Sequence, residues 1–330
     1  MKVKNLTVRT EHKSRVIKIL DDLNFNLERG KSLGVVGESG CGKSMMALAI
    51  MGLLPENMIV SGEVKLKRNL LKLSEKELCL IRGNRISMIF QEPMTALNPV
   101  LPIGIQVSES IRLHKNLSRH QAQKNASKIL DRVGLSKQQF SRSLYPHQLS
   151  GGQRQRVIIA IAMACSPELI IADEPTTALD VTIQEQILNL ISEFVFEENM
   201  SLILITHDLG IVAENTDEMI VMYSGKIVEN GPTKTIFEKL AHPYTRGLFK
   251  SIPDLTLSNS EKNSASEFYT KKRFSTIPGR VPEFWETSKG CSFADRCSRA
   301  RDNCHLNLPK LLQFGMSHYV SCFFPYEERI

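Results

Sequence analysis

Apolar and polar positions alternate along the chain in two different patterns. Short uninterrupted apolar runs, typical of buried parallel strands, occur at residues 32–37, 86–91, 169–173 and 201–206. Longer segments with helical spacing lie between them. This alternation is typical of βαβ units, so it predicts an α/β fold built on a mostly parallel sheet.

The helical and hairpin segments also carry boundary signals. Residues 45–54 form an apolar helix pattern after the first strand, and the polar stretch 102–144 indicates a helical insertion. Ser118 with Gln121 predicts a helix start within this insertion, and Gly134 a stop. A similar box at Thr182 predicts the start of a later helix. The tripeptide at 224–226 predicts a hairpin turn.

Composition and charge narrow the class of protein. The 330 residues are 42% apolar and 23% charged, which is ordinary for a globular protein with a sizeable core. Neither a signal-like start nor an apolar run near ~20 residues is visible, which predicts a cytoplasmic protein with reduced thiols. The net charge of +7 indicates a solvated basic surface or an anionic partner such as ATP, a membrane face or nucleic acid.

The sequence "GESGCGKS" at 37–44 fits a phosphate-binding loop between a strand and a helix. Glycines allow the backbone to approach phosphates, Lys43 can reach the β- and γ-phosphates, and the Ser44 hydroxyl can hold Mg²⁺. The residues predicted to surround the nucleotide are Gly37, Glu38, Ser39, Gly40, Cys41, Gly42, Lys43, Ser44 and Met45.

Two further segments extend this site. Asp173 and Glu174 follow the apolar strand 169–173, where Asp173 can hold Mg²⁺ through water and Glu174 can polarise an attacking water. Ser150 and two glycines stand at a predicted helix start in "LSGGQRQR". One nucleotide needs only one such helix terminus, so the second suggests a site shared between subunits.

These segments together resemble the ATPase subunits of ABC transporters. The chain carries the phosphate-binding loop, Gln91 in "MIFQEP", the signature "LSGGQ", the strand "LIIADE", "ALD" at 178–180 and His207 in "ITHDL", all in family order. The resemblance implies a P-loop NTPase cassette with a RecA-like core, an antiparallel β subdomain and a helical subdomain. It implies a nucleotide-binding domain at 1–253, with the helical subdomain at about 98–165.

A narrower resemblance is to the oligopeptide/dipeptide/nickel import subfamily. It is carried by the segments 88–107, 145–188 and 242–253 and by the tail, with "IPGRVPEF", "GCSFADRC" and "VSCFFP". It implies an ATP-hydrolysing subunit that energises import of di- or oligopeptides across the bacterial inner membrane, from the cytoplasmic face. A nickel complex, glutathione or an antimicrobial peptide are alternative solutes. A non-transport ABC ATPase acting on nucleic acid or ribosomes is the rival hypothesis.

The resemblance also implies partners and residue roles. The partners are a second ATPase subunit, two transmembrane permeases and an extracytoplasmic solute-binding protein, with no nucleic acid. A heterodimer is favoured, although a homodimer is chemically possible. Glu174 would be the catalytic base, His207 would contact the γ-phosphate, and Gln91 would bind Mg²⁺ with Ser44 and Asp173. The residues acting across the dimer would be Ser150, Gly151, Gly152, Gln153 and Asp180.

One feature departs from the family pattern. Many members carry an aromatic residue about 25 positions before the phosphate-binding loop, where it stacks on adenine. This stretch of the chain has none. His12 and Arg15 remain as alternatives, through π or cation–π contact.

A serine-, asparagine- and lysine-rich stretch at 254–276 indicates a linker, and the tail at 277–330 is rich in cysteine. Its cysteines are Cys291, Cys297, Cys304 and Cys322, and their spacing matches neither a typical zinc pair nor a ferredoxin. Four thiolates suit zinc or a [4Fe–4S] cluster, and four unliganded thiols are the other possibility. The resemblance to dipeptide-importer ATPases implies the [4Fe–4S] cluster, with zinc as the second choice.

Overall fold

Two β-sheets form the framework of the protein. The computed structural model describes residues 1–12, 15–177, 179–251, 276–286 and 289–327, and it leaves the side chains of Pro93 and Met94 undescribed. The predicted linker 254–276 lies outside the described residues except for Thr276, and so does Ala178 of the predicted "ALD" segment.

The strands found in these ranges are β1 (Lys2–His12), β2 (Arg15–Asn26), β3 (Ser32–Val36), β4 (Met58–Lys65), β5 (Ile86–Ile89), β6 (Leu169–Asp173), β7 (Ser201–Ile205), β8 (Glu218–Tyr223), β9 (Lys226–Pro232), β10 (Leu312–Gly315) and β11 (His318–Val320). The helices are α1 (Lys43–Met51), α2 (Glu75–Ile81), α3 (Pro93–Ala96), α4 (Ile103–Lys115), α5 (Arg119–Arg132), α6 (Gly151–Met163), α7 (Val181–Glu197), α8 (Leu209–Asn215), α9 (Thr233–Lys239), α10 (Pro243–Lys250) and α11 (Asp302–Leu306).

The larger sheet has the strand order β10-β11-β9-β8-β3-β7-β6-β5. Its centre, from β8 through β3, β7 and β6 to β5, is parallel and almost wholly buried, which explains the uninterrupted apolar runs in the sequence. The predicted strands and the hairpin between β8 and β9 are confirmed. The carboxyl ends of β3, β6 and β7 meet at one edge, where α/β proteins place ligands.

The smaller sheet is antiparallel, with the order β2-β1-β4. It packs with α1 and part of the parallel sheet around one apolar core, which includes Leu6, Leu20, Met46 and Ile50. The turn at Gly225 links this sheet to the phosphate-binding region, since Gly225 accepts from the Asp21 amide and donates its own amide to the Cys41 carbonyl, each over 2.9 Å. The smaller sheet therefore supports one side of the site.

The predicted helical insertion at 102–144 contains α4 and α5, and α6 follows it. Ser118 and Gln121 form the predicted capping box at the start of α5, and the helix ends before Gly134. The prediction for Thr182 is wrong, because α7 begins at Val181 with Asp180 at its N-cap. The carbonyl of Asp180 already accepts the first helical hydrogen bond, from the Gln184 amide at 2.9 Å.

The segment after residue 276 packs against the parallel sheet. Strand β11 pairs antiparallel with β9 through Tyr319–Asn230 and Val320–Glu229. Phe293 belongs to the same buried cluster as Tyr223 and Tyr244. In the described ranges, every helix is too short or too polar to cross a bilayer.

Candidate nucleotide-binding site

The loop between β3 and α1 is held in a shape that only glycine permits at two positions. A Cβ atom on Gly37 would lie 2.3 Å from the carbonyl oxygen of Met222. Gly42 has a φ of 106°, and a Cβ there would lie 2.8 Å from Leu20. The loop therefore packs tightly on β8 and β2 and leads its backbone amides into the start of α1.

Lys43 is folded back into this loop. Its side-chain nitrogen donates to the carbonyl oxygens of Gly37 at 2.8 Å and Glu38 at 3.1 Å, and the residue is 6% exposed. The Cys41 Sγ atom lies 3.9 Å from the same nitrogen. A buried ammonium group whose hydrogen-bond acceptors are uncharged is well placed to attract an anion. The loop has the features of a phosphate cradle.

Asp173 ends β6 beside this loop and carries an unpaired polar atom. Its Oδ1 is buried without a hydrogen-bond partner, and the residue is 4% exposed. Burial raises the pKa of the Asp173 carboxyl, and hydrogen bonding with Ser44 opposes this rise. A buried carboxylate oxygen without a partner, next to a hydroxyl, fits the oxygen ligand set that Mg²⁺ prefers.

The Glu174 carboxylate lies next to three side chains, two of which belong to predicted site residues. Its Oε2 accepts hydrogen bonds from Gln91 Nε2 at 3.1 Å and Thr177 Oγ1 at 3.0 Å, and His207 Nδ1 lies 3.5 Å away. Glu174 adopts a φ of 46°, which is uncommon outside glycine. The structure thus brings Gln91, Glu174 and His207 together, although they come from three separate loops.

The signature residues lie at the start of α6. Ser150 is the N-cap, its hydroxyl accepts from the Gln153 amide at 3.3 Å, and Gln153 Oε1 accepts from the Ser150 amide at 2.9 Å. Among the hydrogen bonds of the described residues, none joins this segment to the phosphate-binding loop. The N-terminus of α6 and the loop are therefore two separate anion-accepting surfaces.

Similarity to known proteins agrees with this geometry. Residues 20–177 match the family described as "ABC transporter", and residues 228–304 match "Oligopeptide/dipeptide transporter, C-terminal region". The chain is 45% identical to the oligopeptide transport ATP-binding protein AppD of Bacillus subtilis, over 99% of this chain and 97% of that protein. It is 44% identical to OppD of Salmonella typhimurium, over 94% and 90% of the two chains. The chain belongs to the family of ABC-transporter ATP-binding subunits.

Solved structures show the same fold. The ATP-binding cassette MJ0796, in a dimeric post-hydrolysis state bound to ADP and Pi, aligns with a TM-score of 0.63 and 29% identity. The alignment covers 70% of this chain and 98% of that one. This ABC-type ATPase therefore has the cassette fold that the sequence predicts. Its membership of the ABC family implies that its nucleotide ligand is ATP with Mg²⁺.

The region before the phosphate-binding loop holds an aromatic contact that the sequence did not indicate. The His12 ring stacks on Trp285 of the tail, with centroids 5.2 Å apart and an interplanar angle of 16°. His12 and Arg15 stay the two predictions for the residue that contacts adenine. Trp285 of the tail thus places an aromatic ring next to this stretch of the ABC ATPase.

Contacts between Glu38 and the C-terminal half were also missed. The Glu38 amide donates to Tyr244 Oη at 2.8 Å, and the Glu38 carboxylate pairs with Arg296. No periodic pattern links residues 258 positions apart, so only the fold brings them together.

The predicted [4Fe–4S] cluster and its zinc alternative are wrong for this ABC ATPase. Cys291, Cys297, Cys304 and Cys322 are free thiols that line one cavity of about 20 Å³, which has room for about one water. Across the described parts of the chain, no group of three or more His, Cys, Asp or Glu side chains is arranged to hold a metal ion.

The surroundings of the thiols explain this outcome. Burial raises the pKa of Cys291, Cys297 and Cys322, the last to about 11. Metals bind the thiolate, and these sites favour the neutral thiol. Phe293, Phe323 and Phe324 line the same cavity, so the cysteines pack as small apolar side chains.

Proposed function

We propose that this subunit binds and hydrolyses ATP to energise the import of di- or oligopeptides. The observation that carries the proposal is the convergence of Gln91, Glu174 and His207 beside the phosphate-binding loop, in a chain whose relatives are named oligopeptide transport ATP-binding proteins. The relatives named here are transport proteins, which favours import over an ATPase acting on nucleic acid or ribosomes.

Different residues of the chain bind the phosphates and activate the attacking water. The amides of the loop from Gly37 to Ser44 and the Lys43 ammonium group bind the phosphates. Glu174 accepts the proton of the attacking water, and the hydrogen bonds from Gln91 and Thr177 orient its carboxylate. His207 contacts the γ-phosphate.

Mg²⁺ would be held by Ser44, Asp173 and Gln91 and would neutralise charge on the phosphates. The unpaired Oδ1 of Asp173 supports this assignment. Burial raises the pKa of the Asp173 carboxyl, and a bound cation would oppose that rise.

The second anion-accepting surface implies a dimer of cassettes. Ser150, Gly151, Gly152 and Gln153 would face the phosphates bound to the partner subunit, with Asp180 assisting the opposite site. The dimeric state of the MJ0796 cassette, as its title describes it, supports this arrangement. The partner is a sister ATPase subunit.

The chain is organised as a nucleotide-binding domain at 1–253, a linker at 254–276 and a cysteine-rich C-terminal region at 277–330. Helices α4, α5 and α6 lie within the helical subdomain at about 98–165. Two permeases contact this subdomain at the cytoplasmic face of the inner membrane, and an extracytoplasmic binding protein delivers the peptide. The match of residues 228–304 to the oligopeptide/dipeptide transporter C-terminal region supports the choice of solute.

The test is ATP-driven peptide uptake by the assembled transporter in proteoliposomes. With Glu174→Gln, ATP binding should persist while hydrolysis and uptake fall by about 100-fold or more, because the base is lost. Glu193→Gln is the matched control, since Glu193 is exposed on α7. Normal turnover in Glu174→Gln, or ATP hydrolysis without uptake of any peptide, would contradict the proposal.

A further inference from the structure

The C-terminal region reaches the phosphate-binding loop through one buried arginine. Arg296 donates from Nη1 to Glu38 Oε2 at 2.7 Å and from Nη2 to Glu38 Oε1 at 2.9 Å. Two parallel bonds of this kind fix both the position and the orientation of a carboxylate. The Arg296 side chain is 7% exposed and that of Glu38 28%, so solvent screens the pair only partly.

Arg296 is itself fixed on its other sides. Its Nε donates to the Pro278 carbonyl at 2.8 Å, and Nη1 also contacts Tyr223 Oη at 3.3 Å. Phe293, three residues earlier, packs edge-on against both Tyr223 and Tyr244. The guanidinium group is therefore part of a rigid aromatic support rather than a free surface charge.

The same support holds the loop backbone. Tyr244 Oη accepts the Glu38 amide at 2.8 Å, and the Glu38 carbonyl accepts from Lys43 at 3.1 Å. All three polar parts of Glu38, its amide, its carbonyl and its carboxylate, are thus engaged. Two of them depend on residues beyond position 240.

Charge gives the contact a direct consequence for nucleotide binding. Glu38 lies within the loop whose carbonyl oxygens hold Lys43, so an unpaired carboxylate there would repel ATP. Arg296 neutralises that carboxylate while it keeps the loop in one shape.

We propose that Arg296 is a positioning residue for ATP binding, through which the docked C-terminal region neutralises the Glu38 carboxylate and keeps the phosphate-binding loop ordered. This inference rests on the proposed function, namely that ATP binds at this loop. Arg296 touches no phosphate itself, and it acts through Glu38. Loss of the contact should weaken the affinity for ATP and leave the hydrolytic step unchanged.

The experiment compares ATP binding by Arg296→Met and wild-type full-length chains in calorimetry, with turnover measured in the assembled transporter. Arg296→Met should weaken ATP binding and raise KM about fivefold, with kcat unchanged at saturating ATP, because the loop loses an ordering contact and the Glu38 carboxylate is left unpaired. The difference should shrink at high salt. Arg280→Met is the matched control, since Arg280 lies in the same region with its side chain 69% exposed.

The double variant Glu38→Gln/Arg296→Met separates positioning from simple stability. It has no carboxylate left to repel ATP, so its affinity should exceed that of Arg296→Met, and the remaining difference from wild type measures the loss of the ordering contact. Arg296→Lys should recover part of the affinity. Trp285, the one tryptophan of the chain, stacks on His12 and reports by fluorescence whether the region remains docked.

The outcomes distinguish this inference from the proposed function. If wild type binds ATP no better than Lys43→Ala, the nucleotide site itself is wrong. If Lys43→Ala loses binding while Arg296→Met keeps wild-type affinity, only the role of Arg296 is overturned. A double variant as weak as Arg296→Met also overturns it, as does a loss of affinity that follows loss of Trp285 docking alone.

Discussion

The Gln91 amide donates a hydrogen bond to the Glu174 carboxylate over 3.1 Å, although the two residues are 83 positions apart. Gln91 follows β5 and precedes α3, which leads into the helical insertion, and Glu174 follows β6. The bond therefore links the proposed catalytic base to the region proposed to contact the permeases. A shift of the insertion would change the environment of that carboxylate.

Gln91→Ala should lower ATP turnover about tenfold while the affinity for ATP stays near wild type, because Glu174 loses one orienting donor. Turnover of the assembled transporter and ATP binding should be measured on the same preparation. Gln139→Ala, at an exposed loop position, serves as the control. Equal losses in affinity and turnover would instead assign Gln91 to ground-state binding.

Lys43→Ala should weaken ATP binding about 10- to 100-fold, since a charged hydrogen-bond donor to phosphate is removed. Lys31→Ala is the control, because Lys31 forms a surface ion pair with Asp217 at 3.1 Å. Calorimetry with ATP and Mg²⁺ measures both. Unchanged binding in Lys43→Ala would place the nucleotide elsewhere.

The parallel strands and the phosphate-binding loop could be predicted because their signals are local. An apolar run bounded by turn residues predicts β6 to the residue. The prediction of a helix start at Thr182 was wrong because α7 begins one residue earlier. There the Asp180 carbonyl, at the end of the loop after β6, accepts the first helical hydrogen bond.

Contacts between side chains far apart in the chain could not be predicted from the sequence. The contacts of Glu38 with Arg296 and of His12 with Trp285 depend on the tail docking on the sheet. The spacing of the tail cysteines did not indicate whether they bind a metal. The resemblance to dipeptide-importer ATPases led to the wrong prediction of a [4Fe–4S] cluster. Cavity size and apolar neighbours decide whether thiols ionise, and neither is visible in sequence.

The stretch after Gln91 should contact a permease. A photo-crosslinker at Val100, which is 74% exposed, should form adducts with cytoplasmic loops of the permease in the assembled transporter. Phe196, 88% exposed near the end of α7, is the control and should form none. Mass spectrometry of the adducts identifies the partner. Equal labelling from both positions would contradict the proposed docking region.

The tail thiols should react slowly with iodoacetamide in the native protein. Burial raises the pKa of Cys322 to about 11, so at pH 8 only roughly one molecule in a thousand carries the thiolate. Cys79, an exposed thiol, should react at least about tenfold faster. Peptide mass spectrometry measures both rates in one sample.

The pH dependence of Cys322 has a defined sign. Its alkylation rate should rise about tenfold per pH unit from pH 8 to 10, because the pH stays below the pKa of the thiol throughout this range. A thiol whose pKa is higher in the folded than in the unfolded protein also stabilises the fold. This stabilisation is complete below the ordinary pKa of about 8.5 and is lost as the pH rises to about 11. A rate that levels off by pH 9 would contradict the raised pKa.

The buried pair of Glu229 and His318 should be the main polar support of the tail. Both side chains are 0% exposed, and Glu229 Oε1 lies 2.8 Å from His318 Nε2. The Glu229 carboxylate also accepts the amides of Ala241 and His242, each at 3.0 Å. Glu229→Ala leaves these buried donors without partners, so the free energy of unfolding should fall by about 3 kcal/mol.

Urea unfolding measures this change, with Glu238→Ala on the exposed side of α9 as the control. Because β11 pairs with β9 at Glu229 and Asn230, the loss should appear first in the Trp285 signal of the tail. Loss of Glu229 should also weaken ATP binding, since an undocked tail removes Arg296 from Glu38. A destabilised Glu229→Ala variant with wild-type affinity for ATP would show that the phosphate-binding loop is ordered without the tail.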